Sequence, residues 1–92
     1  MGIGFEWDEA KAADNLAKHG VSFWEATTVF NDPLSGTVPD PDHSDQENRF
    51  ITMGTSHLGR LIVVVHTDRS DNIRIISARS ASQREKRKYA ES

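Results

Sequence analysis

The chain has 92 residues, 14 acidic and 11 basic, with four histidines and no cysteine. That length fits one domain around one core over residues 1–92. Without cysteine there is no disulfide framework, thiolate zinc site, iron–sulfur cluster or cysteine nucleophile. The composition suits a reducing, cytoplasmic setting. The longest apolar run, residues 61–65, is far short of the ~20 residues that span a bilayer, so no membrane partner is expected. No basic patch precedes an apolar stretch at the N-terminus, so no signal peptide is read there. The charge is segregated. Residues 1–48 hold two basic and ten acidic side chains, and residues 49–92 hold nine basic and four acidic ones. A basic half hints at an anionic partner, unless the fold mixes the halves and the charges only solvate its surface.

In chain order, Gly4-Phe5-Glu6-Trp7 alternates, as a brief strand or a tucked N-terminal arm would. Asp8 is placed to cap a helix over residues 9–19, with Ala10, Ala13 and Ala17 on one face and Ala12 and Leu16 beside it. Gly20 stands where a left-handed residue ends such a helix. Ser22-Phe23-Trp24-Glu25 has the form of a capping box, with Val21 and Ala26 at the hydrophobic-staple positions. Phe23, Ala26, Val29 and Phe30 then line one face, before Asn31-Asp32-Pro33 ends the second helix.

A short strand is predicted at residues 34–38, then an acidic loop through Asp40, Asp42, His43, Asp45 and Glu47. Residues 48–55, 61–67 and 73–79 read as three strands joined by short turns, hence an antiparallel meander. The middle one is apolar on both faces, as a central strand should be. Alternation along the third puts Ile73, Ile75, Ser77 and Arg79 on one face and Arg74, Ile76 and Ala78 on the other. Ser82-Gln83-Arg84-Glu85 forms a second capping box, opening a short basic helix. Helices kept apart from a run of strands argue for an α+β fold.

The chain has no phosphate-cradling loop, dinucleotide glycine motif or His-Glu-x-x-His, so no cofactor is expected. The acidic loop resembles the first half of a calcium loop. Asp45 stands where that loop needs glycine and Ile51 where it needs a carboxylate, so no metal is assigned there. Arginine forks suit phosphate. Arg60, Arg69, Arg74 and Arg79 lie on or beside the last two strands, and Arg84, Lys86, Arg87 and Lys88 on the terminal helix. Together they are suited to RNA; singly, each is better suited to pairing with an N-terminal carboxylate. Among the histidines, His19 ends the first helix, His43 lies among acids, His57 falls in a turn and His66 sits within a strand. His19 therefore serves either the helix end or proton transfer. Tyr89 and Glu85 are spaced to meet on one helix face.

The sequence goes further by resemblance. Phe5-Glu6-Trp7-Asp8, Lys11, Asn15 and Lys18-His19-Gly20-Val21-Ser22-Phe23 resemble the opening of the BrnT family, also called domain of unknown function 497. Val29-Phe30-Asn31-Asp32-Pro33, Asp42-His43-Ser44, Glu47, Arg49, Gly59-Arg60-Leu61, Val63-Val64-Val65-His66-Thr67, Arg69, residues 74–79 and residues 85–89 continue the likeness in order. The resemblance implies a type II toxin: a ribonuclease on a RelE-like, mainly antiparallel four-stranded sheet that blocks translation without a metal. It also implies neutralisation by a BrnA-type antitoxin, through which alone operator DNA would be contacted. Arg60, Arg69 and Arg79 are then the candidates for transition-state phosphate, His19 or Tyr89 for proton transfer, and Arg74, Arg84, Arg87 and Lys88 for RNA. The rival from another class is a non-catalytic module that holds nucleic acid or an acidic protein on the same basic surface. For Arg79 the structural alternative is a pair with a carboxylate such as Glu47.

Overall fold

A computed structural model describes residues 4–41 and 48–91. The elements are β1 (Gly4–Glu6), α1 (Glu9–His19), α2 (Phe23–Thr28), a 3-10 turn (Val29–Asn31), β2 (Gly36–Pro39), β3 (Arg49–Thr55), β4 (Leu61–Arg69), β5 (Asn72–Ser80) and α3 (Gln83–Ala90). They build an α+β fold on one sheet of order β1-β5-β4-β3-β2. The expected central strand is central. The sheet has five strands rather than four, and it is mixed: β1 runs parallel to β5, and the other pairs are antiparallel. A four-stranded RelE-like sheet therefore does not fit it exactly. The segment at residues 4–7 reads as a brief strand or a tucked arm. It becomes a strand because β5 offers an open edge and Phe5 packs against Phe30, with ring centroids 5.4 Å apart.

The caps form as the sequence dictates, with one exception. The Asp8 side chain accepts from the Lys11 amide, and Gly20 ends α1 at φ 67°. Ser22 accepts from the Glu25 amide at 3.0 Å, but the Glu25 carboxylate does not turn back to close the box. It reaches across to β4 instead. The box at Ser82 and Glu85 closes in both directions. The buried side of α1 also differs from expectation. Ala10, Ala13 and Ala17 are exposed, and Ala12 and Asn15 face the protein. Asn15 donates to the carbonyls of Val21 (3.0 Å) and Ala78 (2.8 Å) and accepts from the Ala78 amide (3.1 Å). β1 pairs with β5 only over residues 72–74. Beyond that point Asn15 satisfies the strand edge as a neighbouring backbone would.

One face of the sheet carries the core. Val21, Phe23, Ala26 and Val29 meet Ile62, Val64, Ile75 and Ala78 there, all buried. Gly54 lets Val29 come close: a Cβ on it would lie 2.8 Å from the Ser35 Cβ and 3.0 Å from a Val29 methyl. A bulge in β5 decides which side chains join this core. Val65 pairs with Ser77 and His66 with Ile75, leaving Ile76 as the extra residue. The expected alternation therefore breaks. Ile75 and Ala78 share the helix-covered face, and Arg79 does not share the face of Ile75.

Candidate functional site

The register sorts the predicted site residues by face. Opposite the helices, Arg49 pairs with Thr67 and Thr67 with Arg74; one register row away along the strands, Ile51, Val65 and Ser77 align; in the next, Met53, Val63 and Arg79. Glu6 and Arg69 reach this same side beside Asn72 and Arg74, since Gly4 and Arg69 both pair with Asn72 and Glu6 pairs with Arg74. The sheet thus keeps its helix layer on one side and gathers Arg49, Arg69, Arg74 and Arg79 on the other. Arg49 is the member that spacing alone did not single out.

Helix α3 flanks this open face and buries none of its own residues. Two polar clips join it to the sheet. At its start the Arg79 guanidinium donates to both oxygens of Glu85, at 2.8 and 3.0 Å. Glu85 also accepts from the Ser82 amide at 2.8 Å. Arg79, chiefly, then burial working the other way, leaves the Glu85 carboxyl lowered to about 2. At the far end the Tyr89 hydroxyl donates to Asp32. Asp32 also accepts from the amides of Thr55 (2.7 Å) and Leu34 (2.9 Å). The Thr55 amide first and Tyr89 second hold the Asp32 carboxyl below its ordinary value. The same bond raises the Tyr89 phenol. In this arrangement the Tyr89 hydroxyl is a hydrogen-bond donor committed to Asp32.

Between the clips lies a groove of about 430 Å³. Ile51, Met53 and Val63 line it from the sheet, Leu34, Gly36 and Val38 from β2 and the chain before it, and Glu85, Lys88 and Tyr89 from α3. Glu85 and Tyr89 share the groove as their spacing suggested, but the hydroxyl goes to Asp32.

The predicted catalytic set does not converge. Arg60 lies against the helix layer, where its fork grips Glu25 and one nitrogen donates to the Gly20 carbonyl at 3.0 Å. Glu25 is only 3% exposed and accepts from Ser56 as well, at 2.7 Å. Arg60, ahead of burial, lowers its carboxyl. Arg69 is exposed at the opposite end of β4, about 30 Å away at the rise of an extended strand. Arg74 donates to Glu6 at 2.9 Å; Asn72 first and Arg74 next lower the Glu6 carboxyl. His19 is exposed at the end of α1, away from the open face. Arg84, Arg87 and Lys88 are exposed on α3. His66 is buried between Phe30 and Phe50, and its Nε2 contacts the Thr52 hydroxyl at 2.7 Å. Burial lowers its pKa. His43 and Glu47 lie outside the described residues, and the expected Arg79–Glu47 pair with them. Among the described residues no group of three His, Asp or Glu is placed to hold a metal, and no helix is long and apolar enough to cross a membrane.

Fold and site together define a small α+β domain whose sheet opens one cationic, partly apolar face. Comparison with known proteins makes this specific. The family model described as the ribonuclease toxin BrnT of type II toxin–antitoxin systems matches residues 7–85. The chain belongs to that family. The crystal structure of the Brucella abortus ribonuclease toxin BrnT is similar at 27% identity and a TM-score of 0.65, over 89% of this chain and 100% of that one. No curated protein sequence matches the chain.

Proposed function

We propose that this chain is an endoribonuclease that cuts RNA on the open face of its sheet without a metal, and so blocks translation. The observation that carries the reading is the segregation of Arg49, Arg69, Arg74 and Arg79 onto the face without α1 and α2, beside a groove. The RNA 2′-hydroxyl gives its proton to water as its oxygen attacks the adjacent phosphate, the P–O5′ bond breaks, and the 5′-oxygen leaves with a proton taken up from solvent. Charge grows on the equatorial oxygens, and fixed cations facing them supply the largest stabilisation. The Arg79 fork fits this role, because a phosphate replaces the Glu85 carboxylate with the same two parallel donors. Arg74 and Arg69 extend the cationic track. The Tyr89 hydroxyl is held by Asp32, so water supplies the proton to the leaving oxygen. Arg60 and His19 stand outside this set, Arg60 as the tie between α2 and β4. A metal-free route fits the donor set, since Glu6 and Glu85 are each held by an arginine.

The partner is an antitoxin of the BrnA type. It presents acidic groups to Arg84, Arg87 and Lys88 and covers the face from RNA, and operator DNA is contacted only through it. Charge reversal at Arg84 and Arg87 then slows association and flattens its salt dependence.

The test is RNA cleavage by the purified protein in a chelator, with growth followed on induced expression. Cutting and growth arrest are expected. Intact RNA and unaffected growth leave the non-catalytic binding module. Cutting that stops with the chelator removes the metal-free route.

A further inference from the structure

We infer that the groove between α3 and strands β2 to β4 is a nucleobase subsite, with Arg79, the strand neighbour of its floor residue Val63, exchanging Glu85 for the phosphate of the same nucleotide; this rests on the ribonuclease reading. The walls match a flat, apolar-faced ring with polar edges. Ile51, Met53 and Val63 give an aliphatic floor, and Tyr89 gives an aromatic wall. The tie from its hydroxyl to Asp32 anchors the far end of that wall in advance, so less freedom is lost when a base stacks on it. The volume, about 430 Å³, lies in the range of small-molecule sites.

The position relative to charge selects the occupant. Val63 pairs with Arg79 on one side and with Met53 on the other, so cation and floor share one row of the sheet. Neighbours in such a row are ~5 Å apart, which puts the guanidinium within one nucleotide of the floor. Lys88 lies on the rim supplied by α3.

The edge next to the groove argues against an added protein strand. The Asp40 amide donates to the Arg49 carbonyl at 2.8 Å. Alternation then turns Gly36 and Val38 toward β3, and Thr37 and Pro39 outward. Pro39 has no amide, so among residues 36–39 only Thr37 offers an outward donor.

The experiment follows the methyl resonances of Ile51, Met53 and Val63 in the full chain during titration with the four nucleoside 3′-monophosphates and with abasic ribose phosphate. At least one nucleotide is expected to shift these methyls, and the abasic probe is not. Met53→Ala, checked for an unchanged melting temperature, should weaken that nucleotide about tenfold. Val38→Thr at the exposed rim offers a second variant that does not touch the core. Methyls that stay silent while RNA is bound and cut overturn the subsite and leave the ribonuclease reading intact. Absence of both binding and cutting overturns both. Methyls that move only when antitoxin is added assign the groove to the protein partner and overturn the proposal.

Discussion

The two faces of the sheet use the same strands in opposite ways. On the covered face the central apolar side chains are fully enclosed, and two buried polar groups are locked into partners by several bonds each. Asn15 spends its amide on two carbonyls and one backbone amide, and Glu25 holds both Arg60 and Ser56. On the open face Arg74 and Arg79 are also paired, but with half-buried carboxylates: the Arg79 side chain is 47% exposed and Glu85 32%. Burial makes the first kind of pairing costly to break, whereas solvent makes the second kind worth little. A fork that holds a half-buried carboxylate is therefore available for exchange with a phosphate, and one that holds an enclosed carboxylate is not. That difference separates Arg79 from Arg60, two residues the sequence presents as equivalent.

The largest expected effect tests the covered face itself. Phe23 is 1% exposed, and Phe23→Ala should cost ~3–5 kcal/mol by denaturant unfolding. Phe30, from the same predicted stripe, is only half-buried and should cost clearly less. A Phe30→Ala effect as large as that of Phe23→Ala would mean that the core extends beyond the helix layer. Next comes Asn15→Ala, which strands the Ala78 amide and two carbonyls. A loss of ~2–3 kcal/mol is expected, and a loss below ~1 kcal/mol would show that water takes over the edge of β5.

Arg79→Lys is the counterpart on the open face. It keeps the charge and loses the fork, so stability should fall by no more than ~1 kcal/mol while RNA cleavage falls ~100-fold. A melting-temperature drop matching that of Asn15→Ala would make Arg79 a structural tie and end the contrast between the faces.

The smallest effects are in pH dependence, and they separate the faces by window. The Glu85 carboxyl is lowered from 4.5 to about 2 in the fold. Its contribution is therefore complete above pH 4.5 and is lost as pH falls toward about 2. The melting-temperature gap between the wild type and Glu85→Gln should close over that interval. His66 acts in the other window. Burial lowers its pKa from 6.5, so the unfolded chain takes up the proton first, and stability declines as pH drops below 6.5. His66→Phe should remove that decline, and a decline that persists would place its source elsewhere.

Much of the scaffold was legible. The extents of α1 and the three meander strands follow from period and punctuation, and the caps at Asp8, Gly20 and Ser82 follow from local chemistry. The membership suggested by motifs such as Lys18-His19-Gly20-Val21-Ser22-Phe23 agrees with the family match over residues 7–85.

What local rules could not reach depended on contacts between distant residues. Ala10, Ala13 and Ala17 looked like the packing face of α1, yet Asn15 faces inward, because an open strand edge can be satisfied only by a polar side chain. Strict alternation misplaced Arg79, because one extra residue at Ile76 reverses the side on which every later side chain of β5 emerges. The parallel pairing of β1 and the placing of Asp32 under Tyr89 likewise involve residues 68 and 57 positions apart. Most helix and strand spans, the charge segregation and the family could be read along the chain, because those rest on neighbouring residues. Which arginine holds an enclosed carboxylate and which a half-buried one emerges with folding, because that depends on strand register and on which face the helices cover.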